Sequence, residues 1–181
     1  MSHILEFEQR MNMMRGYARS YDLHVLIESG SGYGTTPGGL IEDFDKIITI
    51  ELDEGLYDHC RARFAPFAHV TCLHGNSGEL LKHLVIDHQP ILFWLDGHYS
   101  GDGTAKAADS DTPIVAELEA AVTAPKGSVI LIDDARLFGG MPEHTEEFKD
   151  YPHYEWVAET AIKNDFDCDL KDDIFRLTPR V

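Results

Sequence analysis

Five short apolar runs punctuate the chain: 24–29, 46–51, 69–73, 91–96 and 129–133. None alternates apolar with polar residues. Continuous runs of this length predict strands covered on both faces, as in a parallel sheet. The intervening segments carry helical spacing. Leu56, Cys60 and Phe64 recur every fourth residue, as do Ile114, Leu118 and Val122, while Leu80, Leu81, Leu84 and Val85 form one stripe. Ahead of the first run, Ile4, Phe7, Met11, Met14, Ala18 and Tyr21 predict an amphipathic helix over 4–21. Two further helix starts are expected at Thr36-Pro37 and Thr112-Pro113, with Thr as N-cap and Pro at the first helical position. Strand alternating with helix means βαβ units joined by right-handed crossovers. The tail differs. A helix is predicted over 154–163, then a two-stranded hairpin, 166–170 and 174–177, turning at Asp172-Asp173. Two irregular stretches, 97–111 and 138–153, are long enough to be functional loops.

Composition narrows the class. The 181 residues are 43% hydrophobic and 26% charged, which suits one domain with its own core: an N-terminal helix (1–23) ahead of an α/β core (24–181). Fifteen basic against 32 acidic residues give a net charge of -17. Such a surface repels phosphate backbones and anionic membranes, so a small-molecule substrate is expected, with no nucleic-acid or membrane partner. Cys60, Cys72 and Cys168 are widely spaced, odd in number and without a Cys-x-x-Cys pair, and read as thiols of a reducing compartment. Residues 1–10 do not resemble a signal peptide, and no apolar run approaches about 18 residues. A cytoplasmic location is expected.

The first run enters Glu28-Ser-Gly30-Ser-Gly32-Tyr-Gly34. Glycines at the end of a buried strand let the backbone turn sharply and let a ligand approach it. A dinucleotide fingerprint wants Gly-x-Gly-x-x-Gly, which this is not. Acidic-x-Gly-x-Gly-x-Gly after the first strand instead resembles the class I S-adenosylmethionine-dependent methyltransferases. The resemblance covers nearly the whole chain. It implies a doubly wound, Rossmann-like α/β sheet, mostly parallel, with a C-terminal antiparallel hairpin and strand order 3-2-1-4-5-7-6. It also implies that Glu28, Ser29, Gly30, Ser31, Gly32 and Gly34 wrap the methionine part of S-adenosyl-L-methionine. Glu51 ends the second run, with Leu52 beside it, and an acid there can accept hydrogen bonds from both ribose hydroxyls. Asp53 looks more like the start of the next helix. Asn76 and Ser77 follow the third run; either meets the adenine or caps the next helix.

The fourth run ends at Asp96 and the fifth at Asp133-Asp134. In a methyltransferase sheet the fourth strand adjoins the first and fifth, at spacings of about 4.8 Å. Three carboxylates gathered there repel unless a cation intervenes, and Mg²⁺ with oxygen ligands is the natural one. The set also resembles the metal-dependent sugar and macrolide O-methyltransferases, which implies Asp96, Asp133 and Asp134 as metal ligands. Asp133 and Asp134 can both ligate only if the backbone bends between them. The alternative is one site carboxylate plus a cap or an ion pair to Arg136. His98, two residues past Asp96, is a candidate base for a hydroxyl proton, and Asp96 a second catalytic candidate. Tyr99 and Ser100 are candidates for substrate contact.

The expected reaction is O-methylation of a small hydroxylated molecule with Mg²⁺ assistance. A lid would come from the first helix, the 97–111 loop, or a second subunit in a homo-oligomer. Two alternatives stay open. One is an NAD-linked oxidoreductase, which lacks the glycine spacing and a Tyr-x-x-x-Lys pair. The other is a cofactor-binding module without transfer activity.

Overall fold

In the computed structural model, residues 4–85, 89–97 and 112–180 are described. Helix α1 (Phe7–Tyr21) precedes β1 (Val25–Ser29), α2 (Thr35–Gly39), β2 (Lys46–Glu51), α3 (Glu54–Phe64), β3 (Val70–His74), α4 (Ser77–Leu84) and β4 (Ile91–Leu95). There follow α5 (Ile114–Ala121), β5 (Val129–Ile132), α6 (Tyr154–Lys163), β6 (Phe166–Lys171) and β7 (Ile174–Pro179). The seven strands form one sheet in the order β3-β2-β1-β4-β5-β7-β6. Strands β1 to β5 run parallel, while β7 is antiparallel to both β5 and β6.

The continuous apolar runs are explained by two buried faces. Val25, Ile27, Phe93, Leu95, Ile130 and Ile132 pack with Leu81 of α4, Leu118 of α5 and Val157 of α6. Leu26, Leu92, Trp94, Val129 and Leu131 pack with Met11 and Met14 of α1, and with Leu40 and Phe44. The Met stripe of α1 is therefore core. The helix starts at Phe7, three residues later than its periodicity suggests, because Glu6 and Gln9 form a capping box. Edge strand β3 is only partly buried, as a strand with one neighbour should be.

Two caps differ from expectation. Helix α2 begins at Thr35, with Gly34 in the left-handed region as its N-cap. Thr36 thus sits inside the first turn, where its hydroxyl serves Glu28 rather than the helix end. At α5 the Thr112 hydroxyl does accept the Ile114 N–H at 3.3 Å, but Pro113 occupies the cap position and helical geometry starts one residue later. No described helix is long and apolar enough to cross a membrane.

Candidate active site

Strand register sets out the crevice. Ser29 is level with Ile50 on one side and Leu95 on the other, and Leu95 with Ile132. One residue beyond this row stand Gly30, Glu51, Asp96 and Asp133. The row lies where the sheet reverses its winding between β1 and β4, the place where open α/β sheets bind ligands.

The glycine turn folds back over β2. The N–H groups of Gly30 and Ser31 both donate to the Ile50 carbonyl, at 2.9 and 3.2 Å. Gly30 has φ +79°, and a Cβ there would lie 2.3 Å from the Asp96 carbonyl oxygen. Its reason for being glycine is thus the end of β4. Gly32, with φ +51°, has no atom of the described residues, its chain neighbours aside, within 4 Å of the corresponding Cβ position. The space beside it is open.

Glu28 and Ser29 lie beneath the turn. Glu28 is 1% exposed and accepts a hydrogen bond from the Thr49 hydroxyl, which also pairs with Ser31 Oγ. Burial pushes the Glu28 carboxyl up to about 8, against the hydrogen bond from Thr49 and with repulsion from Asp96. The Ser29 hydroxyl accepts the Asp96 N–H at 3.2 Å. Glu28 is thus tied to the turn through Thr49 and Ser31, and Ser29 to the end of β4.

Glu51 is nearly buried, and its carboxylate is already engaged by main chain. Oε2 accepts the Gly32 N–H at 2.8 Å, and Oε1 accepts those of Leu52 and Asp53 at 2.9 Å each. Four lone-pair positions leave Oε2 one further acceptance. From the other side, the Cys60 thiol donates to the Gly32 carbonyl at 3.2 Å. Burial holds that thiol protonated, with a pKa pushed up to about 12. Sequence reading passed over this tie, because a cysteine in a helical stripe reads as packing. Asp53 caps α3 through the Leu56 N–H, as expected. Asn76 Oδ1 caps α4 by accepting the Gly78 N–H at 2.9 Å, so its amide nitrogen is the group left to meet a ligand. Ser77 is the first residue of that helix.

The three expected metal ligands are not gathered. The chain does bend at Asp134, which adopts the left-handed conformation at φ 55°. The bend sends the two carboxylates to different cations. Asp133 Oδ2 accepts from Arg10 Nη1 at 3.1 Å, while Asp134 pairs with Arg136, which also holds Asp173. Among the described residues no cluster of three His, Cys, Asp or Glu side chains could hold a metal ion. At Asp133 and Asp134 the charge is met by guanidinium groups instead. The Arg136 pairing is the alternative named above; the Arg10 pairing, 123 positions apart, has no local signal. His98, Tyr99 and Ser100 lie outside the described residues.

No protein-family model matches the chain, and no curated protein does. Solved structures do. An O-methyltransferase from Bacillus cereus in complex with S-adenosylhomocysteine superposes with a TM-score of 0.66, at 12% identity, over 97% of this chain and 83% of that one. The fold is that of the class I methyltransferases. The same methyltransferase fold is shared with the O-methyltransferase TomG of Streptomyces achromogenes, involved in tomaymycin synthesis and solved with S-adenosylmethionine. There the TM-score is 0.63 at 16% identity, over 94% of this chain and 79% of that one. A sugar N-methyltransferase from a Streptoalloteichus species gives 0.64 at 12% identity, over 97% and 89%. Relative to the methyltransferase sheet, the glycine turn, Glu51 and Asn76 all stand at one edge.

Proposed function

We propose that this chain is an S-adenosyl-L-methionine-dependent methyltransferase that transfers the methyl group to a hydroxyl of a small molecule. The observation that carries the reading is the open space at Gly32, beside a nearly buried carboxylate, at the switch point of the sheet. A cradle without a Cβ and an acid that can take a ribose hydroxyl fit this ligand. Methyltransferases of small molecules among the structural neighbours, acting on oxygen or on nitrogen, support the reaction class, and oxygen is the acceptor proposed.

The cofactor supplies a methyl already made electrophilic by its sulfonium. The chain's residues bind and align. The 30–34 turn offers main chain to the methionine part, Glu51 Oε2 receives a ribose hydroxyl, and the Asn76 amide donates to the adenine edge. Acidic groups along the edge, Glu51 and Asp96, suit a cationic donor. The acceptor oxygen forms a bond to the methyl carbon as the carbon–sulfur bond breaks, and its proton leaves to a base or to water. Because the carboxylates do not assemble a cation site, no step is assigned to Mg²⁺.

Calorimetry with S-adenosylhomocysteine tests the reading. Wild type should bind it and should not bind NAD. Gly32→Val should lose the ligand while remaining folded, since the Cβ position is clear of the described residues; its stability cost is about 1–2 kcal/mol of left-handed strain. Glu51→Ala should weaken binding by about 1–3 kcal/mol. Unchanged affinity in Gly32→Val would reject the turn as the cofactor cradle, and a larger effect in Asp53→Ala would move the ribose contact to that residue.

A further inference from the structure

The disagreement at the aspartates has a constructive side. Arg10 comes from α1, yet it reaches the carboxyl edge of the sheet and pairs with Asp133 there. Its guanidinium carbon lies 5.5 Å from the centroid of the Trp94 ring. Its Nε is buried and has no hydrogen-bond partner among the described residues, while the side chain as a whole remains 26% exposed. The cation is therefore anchored on one side and reachable on the other. Alternation along the strands puts Glu28 and Asp133 on the face shared with Leu26 and Leu131, the face that α1 covers. Arg10 thus brings its positive charge to an edge otherwise bearing the carboxylates of Glu51, Asp96 and Asp133.

A partly buried ion pair is a poor source of net stability, because desolvating both charges offsets most of their attraction. Its position explains it better. An isolated guanidinium beside a sulfonium would repel it; paired with Asp133 it adds no net charge. The pair also fixes the direction of the carboxylate nearest β5 without needing a metal.

Resting on the methyl-transfer reading above, we propose that Arg10 takes the place of a divalent cation. It is a positioning residue that holds Asp133 at the acceptor side of the site, so that transfer by this chain is metal-independent and Arg10-dependent.

The test uses the full chain and three readouts. Methyl-labelled S-adenosylmethionine is incubated with the small-molecule fraction of a cell extract, with EDTA or with Mg²⁺. Mn²⁺ binding is followed by electron paramagnetic resonance, and S-adenosylhomocysteine binding by calorimetry. Wild type should transfer equally in EDTA and Mg²⁺, and Mn²⁺ should bind it no more than it binds Asp133→Asn. Arg10→Ala should lose transfer by about 10- to 100-fold with cofactor affinity kept. Guanidinium ion, at millimolar concentrations far below denaturing ones, should restore part of the loss by refilling the space over Trp94. Arg10→Lys, which keeps the charge, should fall between. A purely structural arginine would not give rescue at constant cofactor affinity. Loss of wild-type transfer in EDTA, Mn²⁺ binding that Asp133→Asn abolishes, or full transfer by Arg10→Ala would each overturn the proposal. Failure of wild type to bind S-adenosylhomocysteine would instead overturn the methyltransferase reading beneath it, and the proposal with it.

Discussion

Gly30→Ala is expected to destabilise the fold by about 3–5 kcal/mol, a large share of the usual 5–15 kcal/mol. Two independent penalties add. A φ of +79° costs a residue with a Cβ about 1–2 kcal/mol. The new carbon would also sit 2.3 Å from the Asp96 carbonyl oxygen and 2.8 Å from its carbon. Those atoms are backbone at the end of a fully buried strand, so relief requires β1 and β4 to part. Gly32→Ala is the control, since it carries the same kind of φ strain but meets no atom of the described residues, its chain neighbours aside, within 4 Å. Unfolding free energies of the two variants, from urea titrations, should differ by at least about 1.5 kcal/mol. Equal free energies would mean that the turn yields easily and that Gly30 is not the point where the two strand ends lock.

The second large effect concerns pH. The folded chain holds a proton on Glu28 up to about pH 8, whereas the unfolded chain releases it near the ordinary value of 4.5. Between those values the folded state binds more protons, so this group's contribution to stability falls as pH rises and levels off above about 8. The slope is at most about 1.4 kcal/mol per pH unit, or on the order of 4 kcal/mol across the window. Groups facing the carboxyl are Thr49 and Thr36, which donate to it, and Asp96 and Glu51, which repel its charge. Glu28→Gln stays neutral at every pH and can still accept from Thr49. Unfolding free energies of wild type minus Glu28→Gln, measured from pH 5 to 8, should decline steadily. A flat difference would show that Glu28 is ionised in the fold.

Legibility in the sequence followed the range of the interaction. Strands such as Ile91–Leu95 were visible because burial on both faces leaves only apolar residues. The closing hairpin was visible because paired aspartates mark a turn between β-rich runs. Helix α2 was misplaced because Gly34, needed by the turn, also starts the helix, and Thr36 was recruited by a buried acid one strand away. At the site, the left-handed glycines of the 30–34 turn and the place of Glu51 at the end of β2 were local to their strands and readable. The role of Asp133 was not, since its partner comes from a helix that only the folded sheet brings near. Spacing can show that charges converge; it does not show which opposite charge meets them.

The turn of the last hairpin is held by contacts of the same long range. Asp172 and Asp173 both adopt left-handed backbone, at φ 55° and 64°, where Asn-Gly would be less strained. Asp173 is 4% exposed; its carbonyl accepts the Ala135 N–H at 2.9 Å and its carboxylate the Arg136 N–H at 2.8 Å. What looks in sequence like a free surface bend is thus a rivet through the segment that follows β5. For protein engineering this reverses the ordinary choice: a tag, an inserted domain or new termini placed between Asp172 and Asp173 would release Arg136 and, with it, Asp134 at the rim of the candidate site.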